Sequence, residues 1–437
     1  MLLEFTVANY RSFKDEVTLS LEAGTIRERE EQNIFSARHR RVLKGAVVYG
    51  ANASGKSNLI KAIKFLKDFV MGSSKESQQG DPIPVEPFRL STSTEGEPSM
   101  FEVRIVVEGV PYRYGFQVTR QMVAEEWLYV QKTLKSEAML FSRDRQDIKL
   151  RTGFSEGKGL ESKTRENALF LSVCSQLNGE LSTKLVNQIS RIMIITSAFD
   201  EHMWRLPAMF FQIIKDLEGK VSELLKAGDL GVTRLNCAVK TKPTAGKAVT
   251  KINVHTDVAR FVADAIESHY EISLSHKKRD KDGKEIGQEM FDLFKEESEG
   301  TRKLFGLGGM VLLALDLGFT VVVDEFDARL HPIISKQLVN LFNSDVNRRG
   351  AQLIIATHDT NLLSHGNYRR DQIWFVEKDS LGATDLYSLV EYKTEEEKKI
   401  RKDASFEKDY IQGRYGAIPY LGDFEKLVHN GSANVAS

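Results

Sequence analysis

Ala46-Val47-Val48-Tyr49-Gly50-Ala51-Asn52-Ala53-Ser54-Gly55-Lys56-Ser57, running on into Asn58-Leu59-Ile60-Lys61-Ala62-Ile63, is the stretch that decides the fold. An apolar run enters a loop bounded by glycines, and a helical pattern leaves it. Strand, glycine loop and helix in that order is the context in which a short motif becomes a phosphate-binding device. The glycines let successive N–H groups turn inward around an anion, and the helix N-terminus adds the positive end of its dipole. In such a loop Lys56 reaches the β- and γ-phosphates of ATP, and the Ser57 hydroxyl holds Mg²⁺. Asn52, Ser54, Gly55 and Asn58 complete the expected nucleotide-binding set.

Around this centre, 437 residues suffice for two to three compact domains, or for one large domain carrying insertions. A hydrophobic content of 41% and a charged content of 28% suit a soluble globular chain. The 61 Lys and Arg balance 61 Asp and Glu, so no global charge steers the protein to nucleic acid or membrane. Two cysteines, Cys174 and Cys237, exclude a disulfide framework and a four-cysteine zinc site, and fit a reducing compartment. The longest apolar run, Met310 to Val323, is interrupted by Asp316 and is too short to span a bilayer. Met1 to Val7 alternates like a strand and lacks a signal-peptide layout. The expectation is a cytoplasmic protein without membrane contact.

Leu3-Phe5-Val7 and Val17-Leu19-Leu21 alternate as paired strands, and residues 24–45 read as charged and irregular. Phe101-Val103-Ile105-Val107 and Tyr112-Tyr114-Phe116-Val118, turning at Glu108-Gly109, predict an antiparallel sheet. From residue 155 to 270 the period becomes helical, as in Leu181-Leu185-Ile189 and Phe210-Ile214-Leu217-Val221-Leu225, with a short strand at Ile192–Ile195. Residues 271–290 read as a hairpin turning at Asp282-Gly283. Its Asp280-Lys281-Asp282-Gly283 resembles a calcium loop in spacing only, because position one would be Lys278. Helix and strand alternate again to residue 390, and Lys393 to Lys402 reads as a mixed-charge helix. The expected class is α/β, a parallel sheet with an antiparallel β subdomain and an inserted mainly helical domain. The expected divisions are 1–154, 155–270, 271–392 and a helical tail at 393–437.

Phe319-Thr320-Val321-Val322-Val323-Asp324-Glu325 has the continuous β-branched character of a strand buried on both faces, ending in two acids. Ligands sit beyond the carboxyl ends of such strands. Asp324 suits the Mg²⁺ shell and Glu325 the base that deprotonates attacking water. Leu353-Ile354-Ile355-Ala356-Thr357-His358-Asp359 is a second buried strand, placing His358 where it can sense a γ-phosphate. Glu297-Ser298-Glu299-Gly300-Thr301 opens a long apolar helix, and a hydroxyl with a glycine at a helix N-terminus forms a further anion site. Ser298 and Gly300 are expected to clamp a γ-phosphate held by another subunit, with Asp327 to Pro332 across the same interface.

In that order the four motifs resemble those of ATP-binding-cassette (ABC) ATPases. Asn9-Tyr10-Arg11-Ser12-Phe13 resembles the start of the SMC/Rad50/RecF and OLD-like branch. The Glu-Ser-Glu-Gly-Thr signature and Gly413-Arg414-Tyr415-Gly416-Ala417-Ile418-Pro419 resemble stand-alone ATPases of the AAA15/AAA21 group. That group includes the Rlo-, AbiL- and PARIS-type ATPases of phage defence. The resemblance implies an ABC ATPase head without a long coiled coil, using ATP and Mg²⁺. It also implies a homodimer or higher homo-oligomer closed through its ATP sites, acting as a sensor or scaffold. The controlled effector would be a separately encoded nuclease, for example of TOPRIM type, with DNA or a phage protein as trigger. It further places Arg11 near the nucleotide and a Mg²⁺-linked glutamine among Gln117, Gln121 and Gln131. A RecF-like DNA-repair clamp is the alternative reading, and a slow-turnover scaffold is a second.

Overall fold

Gly45-Ala46-Val47-Val48-Tyr49 forms a strand in which all five residues are buried. The computed structural model describes residues 1–437 except 38–39, 134–135, 197–200, 212, 229, 240–269, 365, 393–404 and 419–437. The mixed-charge segment Lys393 to Lys402 and most of the expected helical tail lie outside the described residues.

The buried strand occupies an inner position in a six-stranded sheet. Its order is Ile192–Ile195, Thr320–Val323, Gln352–Ala356, Gly45–Tyr49, Ile373–Lys378 and Thr384–Ser388. The first five strands are parallel and the last runs antiparallel. Side chains alternate between the two faces of a strand, and here both faces are packed. Val47, Tyr49, Val321, Val323 and Ile355 enter one core; Ala46, Val48, Val322, Ile354 and Val376 enter the other. The first core is closed by the apolar Glu299–Leu317 helix, and it also takes in Phe375, Tyr410 and Tyr415. Tyr410 lies 5.5 Å from the Tyr49 ring and 5.4 Å from the Phe375 ring, which ties the Phe406–Ile411 helix to the middle of the sheet.

The second core holds the Lys56–Gly72 helix against a seven-stranded antiparallel sheet. Leu59, Ile63, Leu66 and Val70 on that helix share it with Phe101, Val103 and Phe116. Val17–Ser20 forms one edge of this sheet, next to Leu2–Ala8, as the alternation predicts. Among the described residues the longest helix is Glu299–Leu317, at 19 residues, and no helix is long and apolar enough to cross a membrane.

Three local readings change. The stretch 24–45 is not irregular throughout, because Ile34–Ala37 pairs with Arg40–Leu43. The helical period from Phe210 to Leu225 is broken: Asp216 takes φ 63°, and separate helices span Glu201–Phe210 and Leu217–Ala227. Within the stretch read as mainly helical, the expected short strand Ile192–Ile195 is present and joins the central sheet, but a second strand was not expected. Val232–Val239 pairs with the Tyr270–Arg279 and Glu285–Asp292 hairpin.

A buried charge fixes the antiparallel sheet to its neighbour. Glu126 is fully buried and accepts N–H bonds from Phe170 at 2.7 Å and Leu171 at 2.9 Å, with the Tyr114 hydroxyl at 3.0 Å. Burial pushes its pKa up, and Arg143 at 3.5 Å works against that shift. Removing one partner of a buried pair strands the other charge, which costs about 3–5 kcal/mol. Glu126→Ala is therefore expected to lower unfolding stability by about that amount in urea titration, and the double change Glu126→Leu with Arg143→Met by less. A loss below about 1 kcal/mol in the single variant would remove this pair from the account of stability.

Candidate functional site

The phosphate loop is shaped by what surrounds it. A Cβ on Gly50 would collide with the Val376 carbonyl and lie 2.5 Å from Ser54 Oγ. Gly55 sits at φ 124°, and a Cβ there would come within 2.6 Å of the Thr384 side chain. Ala53 takes a left-handed φ of 62°, a conformation held by its surroundings rather than by preference. Thr384 Oγ1 donates to the Ser54 carbonyl at 2.8 Å, and Asn58 Nδ2 donates to Ser12 Oγ at 2.8 Å. Ser54 Oγ is buried with no hydrogen-bond partner among the described residues, a polar atom suited to a phosphate oxygen.

Lys56 opens the following helix, and its ammonium donates to the carbonyls of Gly50 at 2.8 Å and Ala51 at 3.0 Å. Burial lowers its pKa to about 8, against the pull of Asp324, Asp327 and Glu325. Beyond the loop lies a cavity of about 280 Å³, bounded by Asn52 to Asn58, Asp324, Glu325, Ala356, Thr357, His358 and Lys378. The predicted residues from the loop, the acidic strand end and the switch strand end therefore meet in one place.

Asp324 is buried, and its N–H donates to Ile195 at 2.8 Å, so the edge strand fixes it. Glu325 is exposed and left-handed at φ 50°, its carbonyl held by Lys303 Nζ at 2.8 Å. Burial brings Lys303, too, down to about 8. Asp327 Oδ1 accepts from the Thr357 hydroxyl and from the His358 N–H at 3.3 Å, linking the two strand ends. Desolvation within the cleft, and then the Lys56 charge, hold the His358 imidazole below its ordinary pKa. The cleft therefore favours the neutral imidazole, in which one ring nitrogen accepts and the other donates.

Ser298 and Gly300 do not line this cavity. Ser298 caps the Glu299–Leu317 helix, its Oγ accepting from the Thr301 N–H at 3.1 Å. A Cβ on Gly300 would lie 3.1 Å from the Arg329 carbonyl, so this helix start packs on the segment that follows Glu325. Arg11 lies elsewhere: it pairs with Glu86 at 2.5 Å and borders a different cavity, beside Tyr10, Phe65 and Phe69. Gln117, Gln121 and Gln131 do not border the phosphate cavity either. Lys378, Thr384, Ser12 and Lys303 escaped the sequence reading. The one available signal for Lys378 is its place at the end of the apolar run Ile373-Trp374-Phe375-Val376.

A family model described as "AAA domain, putative AbiEii toxin, Type IV TA system" matches residues 46–364. Among solved structures, an SMC head bound to the C-winged helix domain of ScpA is 12% identical, covering 89% of this chain and 97% of that one, with a TM-score of 0.45. The SMC head domain from Thermotoga maritima is 14% identical, covering 89% and 98%, with a TM-score of 0.39. An Smc head with an extended coiled coil, bound to the C-terminal domain of ScpA derived from Pyrococcus furiosus, is 14% identical, covering 89% and 96%, with a TM-score of 0.40. No curated protein matches the chain.

A polyphosphate beside Lys56 favours its charged form. With His358 replaced by Gln to silence the imidazole, binding of Mg²⁺-ATP is thus expected to take up close to one proton at about pH 9 and almost none at about pH 7. Calorimetry in two buffers of different ionisation heat reads this uptake. Lys303→Arg, which removes the neighbouring lysine that also titrates near 8, should leave it in place. Uptake that is the same at both pH values would contradict the lowered pKa of Lys56.

Proposed function

This chain belongs to the AAA-domain family whose model spans residues 46–364, and we propose that it binds Mg²⁺-ATP at the carboxyl edge of the central sheet, hydrolyses it, and uses the cycle to close and reopen a homodimer. One observation carries the reading. Lys56 and Ser57 share a single cavity with Asp324, Glu325 and His358, drawn from three distant parts of the chain.

The Ser57 hydroxyl and the Asp324 carboxylate are hard oxygen donors on that cavity, the kind Mg²⁺ takes. When bound, the ion neutralises charge on the β- and γ-phosphate oxygens. Lys56 transfers its hydrogen bonds from the loop carbonyls to phosphate oxygens, and the unpartnered Ser54 Oγ gains an acceptor. Glu325 takes a proton from water as its oxygen bonds to the γ-phosphorus and the bond to the β,γ-bridging oxygen breaks. Lys303 steadies Glu325 through its carbonyl, leaving the carboxylate free for this task. His358 hydrogen-bonds the γ-phosphate and registers its departure through Asp327, which spans both strand ends.

Ser298 and Gly300 stand outside their own chain's cavity at the start of a helix. A second copy related by a two-fold axis supplies them to the γ-phosphate, making a self-complementary interface with the Asp327–Pro332 segment. The resemblance to stand-alone phage-defence ATPases supports the wider role, a nucleotide-driven switch that scaffolds or restrains a separately encoded effector nuclease.

Glu325→Gln is expected to cut turnover by a factor on the order of 10² or more and, with Mg²⁺-ATP, to accumulate dimers by light scattering. Ser298→Arg should abolish both turnover and dimers while the monomer keeps its ATP affinity. Lys56→Ala that retains ATP affinity would overturn the nucleotide site itself. Purified from its host with Mg²⁺-ATP, the Glu325→Gln protein should carry a stoichiometric second polypeptide. Co-elution of DNA alone would replace the effector role with a repair-type clamp.

A further inference from the structure

Four observations converge on Lys378. It borders the phosphate cavity at the carboxyl end of the Ile373–Lys378 strand, which runs parallel to the strand entering the loop. Its direct cross-strand partner is Thr384, and residues directly opposite on paired strands project from the same face. Thr384 is the residue that braces the loop, with its hydroxyl on the Ser54 carbonyl at 2.8 Å and its N–H on the Ser12 carbonyl at 2.7 Å. Lys378 therefore rises on the loop side of the sheet end.

The side chain is exposed and forms no ion pair among the described residues. Neighbouring carboxylates are engaged elsewhere. Glu377 accepts from the Tyr387 hydroxyl at 3.1 Å, and Asp379 Oδ1 accepts from the N–H groups of Leu381 at 2.9 Å and Ala383 at 2.8 Å. The charge balance of the cavity gives this cation a purpose. Lys56 and Lys378 are the two lysines on the lining, and with Asp324 given over to Mg²⁺ both remain to face an anionic ligand.

Resting on the ATP reading above, we propose that Lys378 is a second polyphosphate-binding cation that holds the α-phosphate side of the nucleotide. Strand order sets the side. Asp324, Glu325 and His358 follow strands on one flank of the loop strand, and Lys378 ends the strand on the opposite flank. The γ-phosphate and Mg²⁺ belong to the acidic flank, and the part common to ATP and ADP belongs to Lys378.

The test is titration of the full chain with Mg²⁺-ATP and Mg²⁺-ADP, using Lys378→Ala, Lys378→Arg and Lys378→Glu, with Lys56→Ala alongside and the melting temperature recorded for each. Lys378→Ala should weaken both nucleotides by roughly tenfold, Lys378→Glu by more, and Lys378→Arg should recover most of the loss. KM should rise while kcat holds. Unchanged affinity in the alanine and glutamate variants, with binding abolished by Lys56→Ala, would overturn the role of Lys378 and leave the nucleotide site standing. Retention of affinity in Lys56→Ala would instead overturn the ATP reading. Weakening of ATP alone would move Lys378 to the γ-phosphate and overturn the assignment. A loss that arginine does not recover, accompanied by a lower melting temperature, would make the role structural.

Discussion

The strand Gly45–Tyr49 cannot shift, and the site depends on that. Its two faces feed two different cores, so a one-residue slip would exchange Val47 and Tyr49 with Ala46 and Val48. Gly45 packs against the backbone of Leu353 too closely for any side chain. Buried amides finish the amino-terminal edge. Gln352 accepts from Leu2 N–H at 2.7 Å and donates to its carbonyl at 2.9 Å, while Gln372 donates to the Gly45 carbonyl at 2.9 Å. With the register locked at that end, the opposite ends of four parallel strands deliver the loop, the Asp-Glu pair, the Thr-His pair and Lys378 to one cavity.

Much of this chemistry was readable before any coordinates. The glycine loop, the acids after Val321-Val322-Val323 and the histidine after Ile354-Ile355 announce themselves locally, because a fully buried strand leaves only its end free to be polar. What escaped needed knowledge of adjacency. Thr384 touches the loop only because its strand comes to lie beside it, and Ser12, in the turn after Leu2–Ala8, sits in a motif that does not say which of its residues meets Asn58. The pairing of Ile34–Ala37 with Arg40–Leu43 was hidden by its shortness, four residues on each side. The break near Asp216 was hidden because the apolar spacing on either side keeps the same period. Arg11 pairs with Glu86 and does not border the cavity at the strand ends.

The electrostatics of the cavity are set by desolvation more than by pairing. Lys56 and Lys303 lie near three carboxylates between them, yet burial brings both to about 8. Their ammonium groups are satisfied by backbone carbonyls instead, which hold them in place without cancelling the charge a phosphate would meet. Asp327 is used differently. It does not border the cavity, and it joins the acidic strand end to the switch strand end through Thr357 and His358.

The order of strands in the central sheet also bears on how the protein is made. The loop strand comes early, but both strands that flank it, Gln352–Ala356 and Ile373–Lys378, leave the ribosome only after the long stretch between them has been made. At synthesis rates of about 5–20 residues per second, the loop waits tens of seconds for the sheet that shapes it. The pairing is long-range and parallel, which makes it slow to form as well. A nascent chain therefore has the second core at hand for Val48 but leaves Val47 and Tyr49 waiting for residues still to be made, and the cavity at the strand ends forms only once both flanking strands have emerged.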